Sequence, residues 1–261
     1  MLPFRSIKSL YWLALAEGEG VGTAYEYFAK RLVLRPWLAQ QRRSRTARLL
    51  IGGLPEKYGS SLDFFLIAQE LGVAEVLVID DRPAALEKAR HNLAAAHSCG
   101  ELTNVRPHYE HVSDIASLPQ IRERFDLCLA SEVLQRIPAG ARREYVTRIS
   151  GQAASAALFA PNGDNPSHTS ISGLAGLGLA ELRDLMQAVG LRAGVGYVDM
   201  PPFPPGITRS AEQRRHASSG RLEGLVMRGL ACHARLERSF PRRWRQHHSH
   251  IVYAFTASAS S

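Results

Sequence analysis

An α/β fold, with a mostly parallel sheet and helices on both faces, is what this 261-residue chain predicts. Three observations carry that expectation. From Ala47 onward, apolar strand-like runs alternate with helical patterns. The run AEVLVIDDRP (Ala74 to Pro83) is an apolar strand that ends abruptly on Asp80 and Asp81 before a helix opens. One strand earlier, RTARLLIGG (Arg45 to Gly53) ends on paired glycines, where a backbone can approach a ligand closely. A carboxylate at the carboxyl end of a parallel strand can accept hydrogen bonds from both hydroxyls of a ribose. Lying about one β-α-β unit apart, the two strand ends therefore point to a nucleotide-type cofactor.

A helical region of about residues 5 to 43, bulky with Tyr11, Trp12, Tyr25, Tyr27, Phe28 and Trp37, precedes the first strand. Strands are expected at Ala47 to Ile51, Val76 to Asp80, Asn104 to His108, Phe125 to Ala130 and Ala156 to Ala160. Helices are expected at Ser60 to Leu71, Pro83 to His97, Ala139 to Ser150 and Leu179 to Val189. Pro83 suits a first helical turn, where its missing N–H is of little consequence, and Gly72 and Gly190 stand at expected helix C-caps. Leu191 to Met200 reads as a sixth strand and is followed by the rigid turn PPFPPG (Pro201 to Gly206). A long helix is expected from Ser210 to Ser239, its packing face formed by Leu222, Leu225, Val226, Leu230, His233 and Leu236. HIVYAFT (His250 to Thr256) reads as the seventh strand.

Composition narrows the function classes. With 45% hydrophobic residues the chain has the make-up of a globular protein. It contains no long uncharged apolar run of the kind that spans a bilayer. Glu17 and Glu19 directly follow the short apolar stretch near the start, which argues against a secretory signal. Cys99, Cys128 and Cys232 lie far apart and suggest neither a disulfide framework nor a metal knuckle, so a cytoplasmic location is expected. HHSH (His247 to His250) has no cysteine or carboxylate beside it in sequence, and no metal is expected.

The net charge of +8 is unevenly placed. Lys30 to Arg48 holds seven basic residues and no acid, and Ile207 to His250 holds ten arginines against Glu212, Glu223 and Glu237. Arg214, Arg221, Arg228, Arg235 and Arg242 recur every seven residues. Such blocks are either solvated faces, with arginine stems laid on apolar neighbours, or surfaces for an anionic partner.

Four stretches stand in a telling order: LLIGGLPEKYGSS (Leu49 to Ser61) after the first strand, VLVIDDRPAALEKARHN (Val76 to Asn92) over the second strand and its helix, HVSDIASLP (His111 to Pro119) after the third strand, and FDLCLASEVLQRIP (Phe125 to Pro138) over the fourth strand and its turn. Together they resemble the class I S-adenosylmethionine-dependent methyltransferases, over roughly residues 46 to 200 with a return near 250, the first stretch matching the family's glycine loop. The resemblance implies a Rossmann-like, seven-stranded, mostly parallel sheet with S-adenosylmethionine as cofactor. It divides the chain into an N-terminal helical extension (1–45) and a catalytic domain (46–261) with a helical insertion at 207–248. It also implies Asp80 on the ribose, Asp114 near the adenine amino group, and Gly52 and Gly53 beneath the cofactor. The first strand lacks the family's usual acid and its G-x-G-x-G, and Arg136 stands where many small-molecule members have histidine. No Asn-Pro-Pro-Tyr motif occurs, which disfavours nucleobase N6 chemistry, and the absence of G-x-G-x-x-G disfavours a nicotinamide enzyme.

Asp81 and Ser131 are further candidates for cofactor contact. Ser131 and Glu132 lie just past the fourth strand, at the mouth of the crevice. The loop APNGDNPSHTSISGLAGL (Ala160 to Leu177) leaves the same sheet edge. Its turn chemistry accounts for the Asn, Asp, Pro and Gly but not for His168. His168 and Glu132 are therefore candidate catalytic groups, the histidine able to take a proton from an acceptor. Asn162 and Tyr58 are candidate substrate contacts. The expected activity is methyl transfer to a small-molecule acceptor, with an anionic substrate or nucleic acid also compatible. The competing readings are a catalytically degenerate cofactor-binding scaffold and a basic adaptor for nucleic acid or an anionic surface.

Overall fold

The computed structural model describes residues 2–40, 47–119, 124–202 and 221–256. Helices α1 (Ile7–Ala16) and α2 (Val21–Gln40) precede the sheet. The first half then runs β1 (Arg48–Gly52), α3 (Leu62–Leu71), β2 (Glu75–Asp80), α4 (Pro83–Ser98) and β3 (His108–His111). The second half runs β4 (Leu127–Ser131), α5 (Ala139–Gln152), β5 (Ala156–Pro161), α6 (Pro166–Ser172), α7 (Leu179–Ala188) and β6 (Ala193–Val198). Helix α8 (Arg221–Leu236), a 3-10 turn (Glu237–Ser239), α9 (Arg242–His248) and β7 (Ile251–Thr256) complete it. No helix among the described residues is long and apolar enough to cross a membrane.

The seven strands form one sheet in the order β3-β2-β1-β4-β5-β7-β6, as expected for a mostly parallel Rossmann-like sheet. β7 alone runs antiparallel to its neighbours, pairing Phe159 with Tyr253 on one side and Tyr197 with Val252 on the other. β1 and β4 are adjacent, and from them the chain winds outward in opposite directions. Open α/β sheets bind ligands at such a switch point, beyond the carboxyl ends of the strands. Gly52–Gly53 and Ser131–Glu132 stand there.

The two amino-terminal helices belong to the same core as one face of the sheet. Tyr25, Phe28 and Leu34 are buried in one cluster with Phe64, Phe159 and Phe255. The Trp37 ring stacks on Phe255 with centroids 4.8 Å apart. Burying each such ring contributes about 2–3 kcal/mol, so this face depends on α2 for its cover.

Three element expectations need correction. The third strand lies at His108–His111 rather than Asn104 to His108. Pro107 has no N–H to give a ladder, and Leu102 already turns the chain at φ +56°, so pairing starts only after the proline. The late helix covers Arg221–Leu236, while 203–220, including most of the PPFPPG turn and Arg214, lie outside the described residues. Its packing face is Met227, Leu230, Ala231 and Ala234, whereas Leu225, Val226 and Leu236 are exposed. Ala231 and Ala234 share the buried face with Met227 and Leu230, so Leu225, Val226 and Leu236 fall on the other faces of the helix. Pro241 then ends the turn and starts α9, which the sequence pattern did not separate.

Candidate functional site

At the switch point the chain turns on Gly53, which adopts φ +112°. A Cβ there would lie 2.7 Å from Val133 Cγ2, so only glycine fits both the angle and the space. The Tyr145 hydroxyl donates to the Gly52 carbonyl and fixes the turn from below.

Asp80 is fully buried at the end of β2. Its Oδ2 accepts from the Leu54 N–H at 2.7 Å, from Arg136 Nη2 at 2.9 Å and from Arg82 Nη2 at 3.1 Å. Its Oδ1 accepts from the Arg82 N–H and Nε, each at 2.9 Å. Arg82 also donates to the Leu54 and Pro55 carbonyls at 2.8 and 3.2 Å, so it lies across the glycine loop. Its side chain keeps 30% of its surface in solvent, against 11% for Arg136. Arg136 bonds Asp81 with its other terminal nitrogen. Burial works to raise the Asp81 carboxyl, but the hydrogen bond and charge of Arg136 outweigh it and hold the group below the usual carboxylate range.

A second polar group lies beside the crevice and is brought there by α2. Lys30 Nζ donates to Ser131 Oγ at 2.9 Å and pairs with Glu26 Oε1 at 2.5 Å, and it faces the Phe159 and Phe64 rings at 5.2 and 5.6 Å. Burial lowers its basicity, but Glu26 and Asp63 more than compensate and keep the ammonium charged. Two buried carboxyls share this environment. Burial pushes Asp63 up to about 7 against the pull of Lys30, and pushes Glu132 up to about 7 with Glu26 adding to the rise. Glu132 is also one of few non-glycine residues at positive φ, +55°, a conformation that persists only where its surroundings enforce it.

The raised Glu132 and Asp63 give stability a defined pH dependence. A carboxyl whose folded pKa lies above its unfolded value contributes stability fully below the unfolded value and loses it as pH rises through the folded one. Stability should therefore fall as pH climbs from 4.5 to about 7. Glu132→Gln, which mimics the protonated acid, is expected to gain about 3 kcal/mol over wild type near pH 8 and almost nothing near pH 4. Urea unfolding at the two pH values measures the difference; an equal effect at both would mean that the Glu132 carboxyl titrates alike in the folded and unfolded chain.

The amino-terminal helices also tie down the glycine loop. Glu17 Oε1 accepts from the Ser60 N–H and hydroxyl at 2.7 Å and from the Leu62 N–H at 3.0 Å. Glu19 takes the Gly59 N–H at 3.2 Å.

At the far end of the same edge, β6 leaves on Asp199 and β7 enters from His250. Asp199 adopts φ +68°, its Oδ2 lies 3.2 Å from His250 Nδ1, and its Oδ1 is buried without a partner among the described residues. The His250 ring stacks on His168 with centroids 4.1 Å apart and planes 12° from parallel. Burial would depress His250, but the hydrogen bond and charge of Asp199 overcome it and raise the imidazole. Burial, helped by His250, drives His168 down to about 4, so it is neutral near pH 7, and its Nδ1 is buried without a partner among the described residues. Behind the pair, Glu237 accepts from the Asp199 and Met200 N–H groups at 3.1 and 3.0 Å and from the Tyr25 hydroxyl at 3.0 Å.

Of the residues expected at a site, Gly52, Gly53, Asp80, Asp81, Ser131 and Glu132 gather at the switch point, and His168 joins the histidine–aspartate group. Asn162 is not free to bind a substrate. Its amide donates to the Gln246 and Ser249 carbonyls at 2.8 Å and its Oδ1 accepts from Asp164, because it anchors the loop after β5 to the segment before β7. Asp114 turns its carboxylate onto its own turn, at 2.9 Å from the Ala116 N–H and 3.0 Å from the Ser117 hydroxyl. Tyr58 is 39% exposed, with Lys57 Nζ 5.3 Å from its ring centre. Sequence reasoning missed Lys30, Arg82, Asp199 and His250. Lys30 carried a signal: it falls on the buried face of α2 with Tyr27, Leu34 and Trp37. Among the described residues no cluster of three or more His, Cys, Asp or Glu could hold a metal.

No family model and no curated protein sequence matches the chain. Solved structures do. A methyltransferase from Haloferax volcanii, described as putative and solved with the Trm112 methyltransferase activator, superposes with a TM-score of 0.54 at 14% identity, covering 99% of this chain and 100% of that one. The methyltransferase domain of bacterial CtHen1 gives 0.51 at 9% identity, covering 88% and 99%. Magnesium protoporphyrin IX methyltransferase from Synechocystis PCC 6803, solved with bound S-adenosylhomocysteine, gives 0.50 at 14% identity, covering 90% and 84%. At these identities the likeness establishes the fold: it is that of the class I S-adenosylmethionine-dependent methyltransferases.

Proposed function

We propose that this chain is an S-adenosylmethionine-dependent methyltransferase acting on a small-molecule acceptor, and the observation that carries the reading is Asp80. It ends β2 beside the switch point, next to a glycine turn. Both of its carboxylate oxygens already accept from a two-pronged donor, Arg82 Nε and Nη2. Two adjacent ribose hydroxyls offer the same pair of donors, so the site has the chemistry for the cofactor provided that Arg82 withdraws. Its partial exposure and long, flexible stem leave it room to do so.

When bound, the cofactor supplies a methyl carbon made electrophilic by its sulfonium, so the chain must mainly align the partners and manage a proton. Asp80 holds the ribose end, with Asp81 and Asp114 on the adenine side. The Gly52–Gly53 turn supports the middle of the cofactor. Lys30, Ser131 and Glu132 offer a charged and hydrogen-bonding end to its amino-acid portion. On the acceptor side, the imidazole of His250, oriented by Asp199 through Nδ1, is the group placed to accept a proton, and neutral His168 packs against it. Tyr58 borders the entrance. The chain works inside the cell in this reading, consistent with its scattered free cysteines.

Calorimetry with S-adenosylhomocysteine tests the proposal. Wild type is expected to bind, and Arg82→Ala to bind about tenfold tighter, because the competing charge-assisted contacts on Asp80 are removed. If neither protein binds at millimolar ligand, the cofactor assignment fails. If only the gain is missing, Arg82 does not compete for Asp80.

A further inference from the structure

We propose that the cavity between the amino-terminal segment and α2 binds an amphiphilic anion, a phosphate or carboxylate carried on an apolar body. Apart from Lys30, which serves the crevice, the two basic blocks of the sequence meet here. Arg31 and Arg35 come from the first block and Arg238 from the second, and together they border a cavity of about 320 Å³. That volume is at the lower end of small-molecule sites. Phe4, Phe28 and Leu32 supply its apolar wall. Arg235 extends the cationic rim, its guanidinium lying over the Phe4 and Phe28 rings at 4.9 and 5.3 Å.

The charge here is unbalanced. Among the described residues Glu70 is the acid that pairs with arginines here, and it is shared between Arg5 Nε at 2.8 Å and Arg31 Nη2. Arg31 is only 6% exposed, and its Nη1 has no partner among the described residues, nor has Arg35 Nε. A buried guanidinium nitrogen without an acceptor is unfavourable, and an anionic head group would answer that need. Phe4, 55% exposed at the entrance, gives an apolar tail a surface to lie on. A bare inorganic anion would leave that wall unused, and a neutral lipid would leave the arginines unpaired.

The probe is octyl phosphate, titrated below its micellar range into the full chain, with inorganic phosphate and octyltrimethylammonium as controls. Octyl phosphate is expected to bind at least tenfold more tightly than inorganic phosphate, with no binding of the cationic amphiphile. Arg35→Ala with Arg238→Ala should weaken binding roughly tenfold or more, the usual effect of removing hydrogen bonds to a charged group. Phe4→Ser, at a position 55% exposed, should weaken it as well. Equal binding of the cationic amphiphile overturns the proposal, as does unchanged affinity in both the arginine variant and Phe4→Ser. Vesicles of phosphatidylcholine with and without phosphatidylglycerol then distinguish the source. Co-sedimentation that needs the anionic lipid and is lost in the same variants supports a bilayer head group as the ligand. Octyl phosphate binding without co-sedimentation supports a free amphiphile.

Discussion

Asp80→Ala is expected to abolish S-adenosylhomocysteine binding and to destabilise the fold by about 3 kcal/mol, the scale for stripping the partner from a buried charge. Both effects have one origin. The carboxylate holds the Leu54 N–H of the glycine loop and the guanidinium of largely buried Arg136, so its loss frees the loop and leaves a cation facing Asp81 alone. Asp80→Asn retains an acceptor for Leu54 and should unfold at higher urea than the alanine variant while still failing to bind. Asp81→Ala leaves Arg136 on Asp80 and should cost clearly less in both stability and affinity. Urea midpoints and calorimetry on the three variants make the comparison. Equal losses in the Asp80 and Asp81 variants would assign the ribose to the wrong carboxylate.

Lys30→Met is expected to cost about 3 kcal/mol near pH 8 and clearly less near pH 5. The lysine is the cation that faces Glu26, Asp63 and Glu132 from α2, and without it those acids must ionise unaided in a buried site. At lower pH they take up protons and the penalty shrinks. Adding Glu26→Gln should recover part of the loss at the higher pH. A small penalty with no pH dependence would show that water, not Lys30, satisfies these acids.

Sequence reasoning reached the sheet because period and punctuation are local properties. The apolar run into Asp80, the paired glycines and Pro83 at the head of α4 are each readable from a few neighbouring residues. The crevice acids at 80, 81 and 132 followed from the same logic, since strand ends in a parallel sheet are where ligands go. What escaped depends on contacts distant in sequence. Lys30 meets Ser131, and Glu17 meets Ser60, because α1 and α2 fold back over the sheet, which no spacing rule reveals. Asn162 looked like a ligand because its amide is polar and its loop unusual. The acceptors of its amide nitrogen lie more than eighty positions further on. The packing face of α8 was misassigned because hydrophobicity favoured its leucines, while the buried face includes Ala231 and Ala234.

The reversed strand β7 has a consequence for synthesis. It is inserted between β5 and β6, so on the ribosome β5 presents an unpaired apolar edge until β7 emerges, well after β6 has been made. Over that interval, which includes all of α8 and α9, nothing in the sheet joins β6 to the rest. His250 arrives with β7, so the Asp199–His250 pair is among the final contacts to form. A nascent chain stalled before residue 250 would therefore carry the ribose acid and the glycine turn but no proton acceptor, with a strand edge open to pairing with another chain. Chaperone demand should peak in that window, and should fall once β7 has closed the sheet.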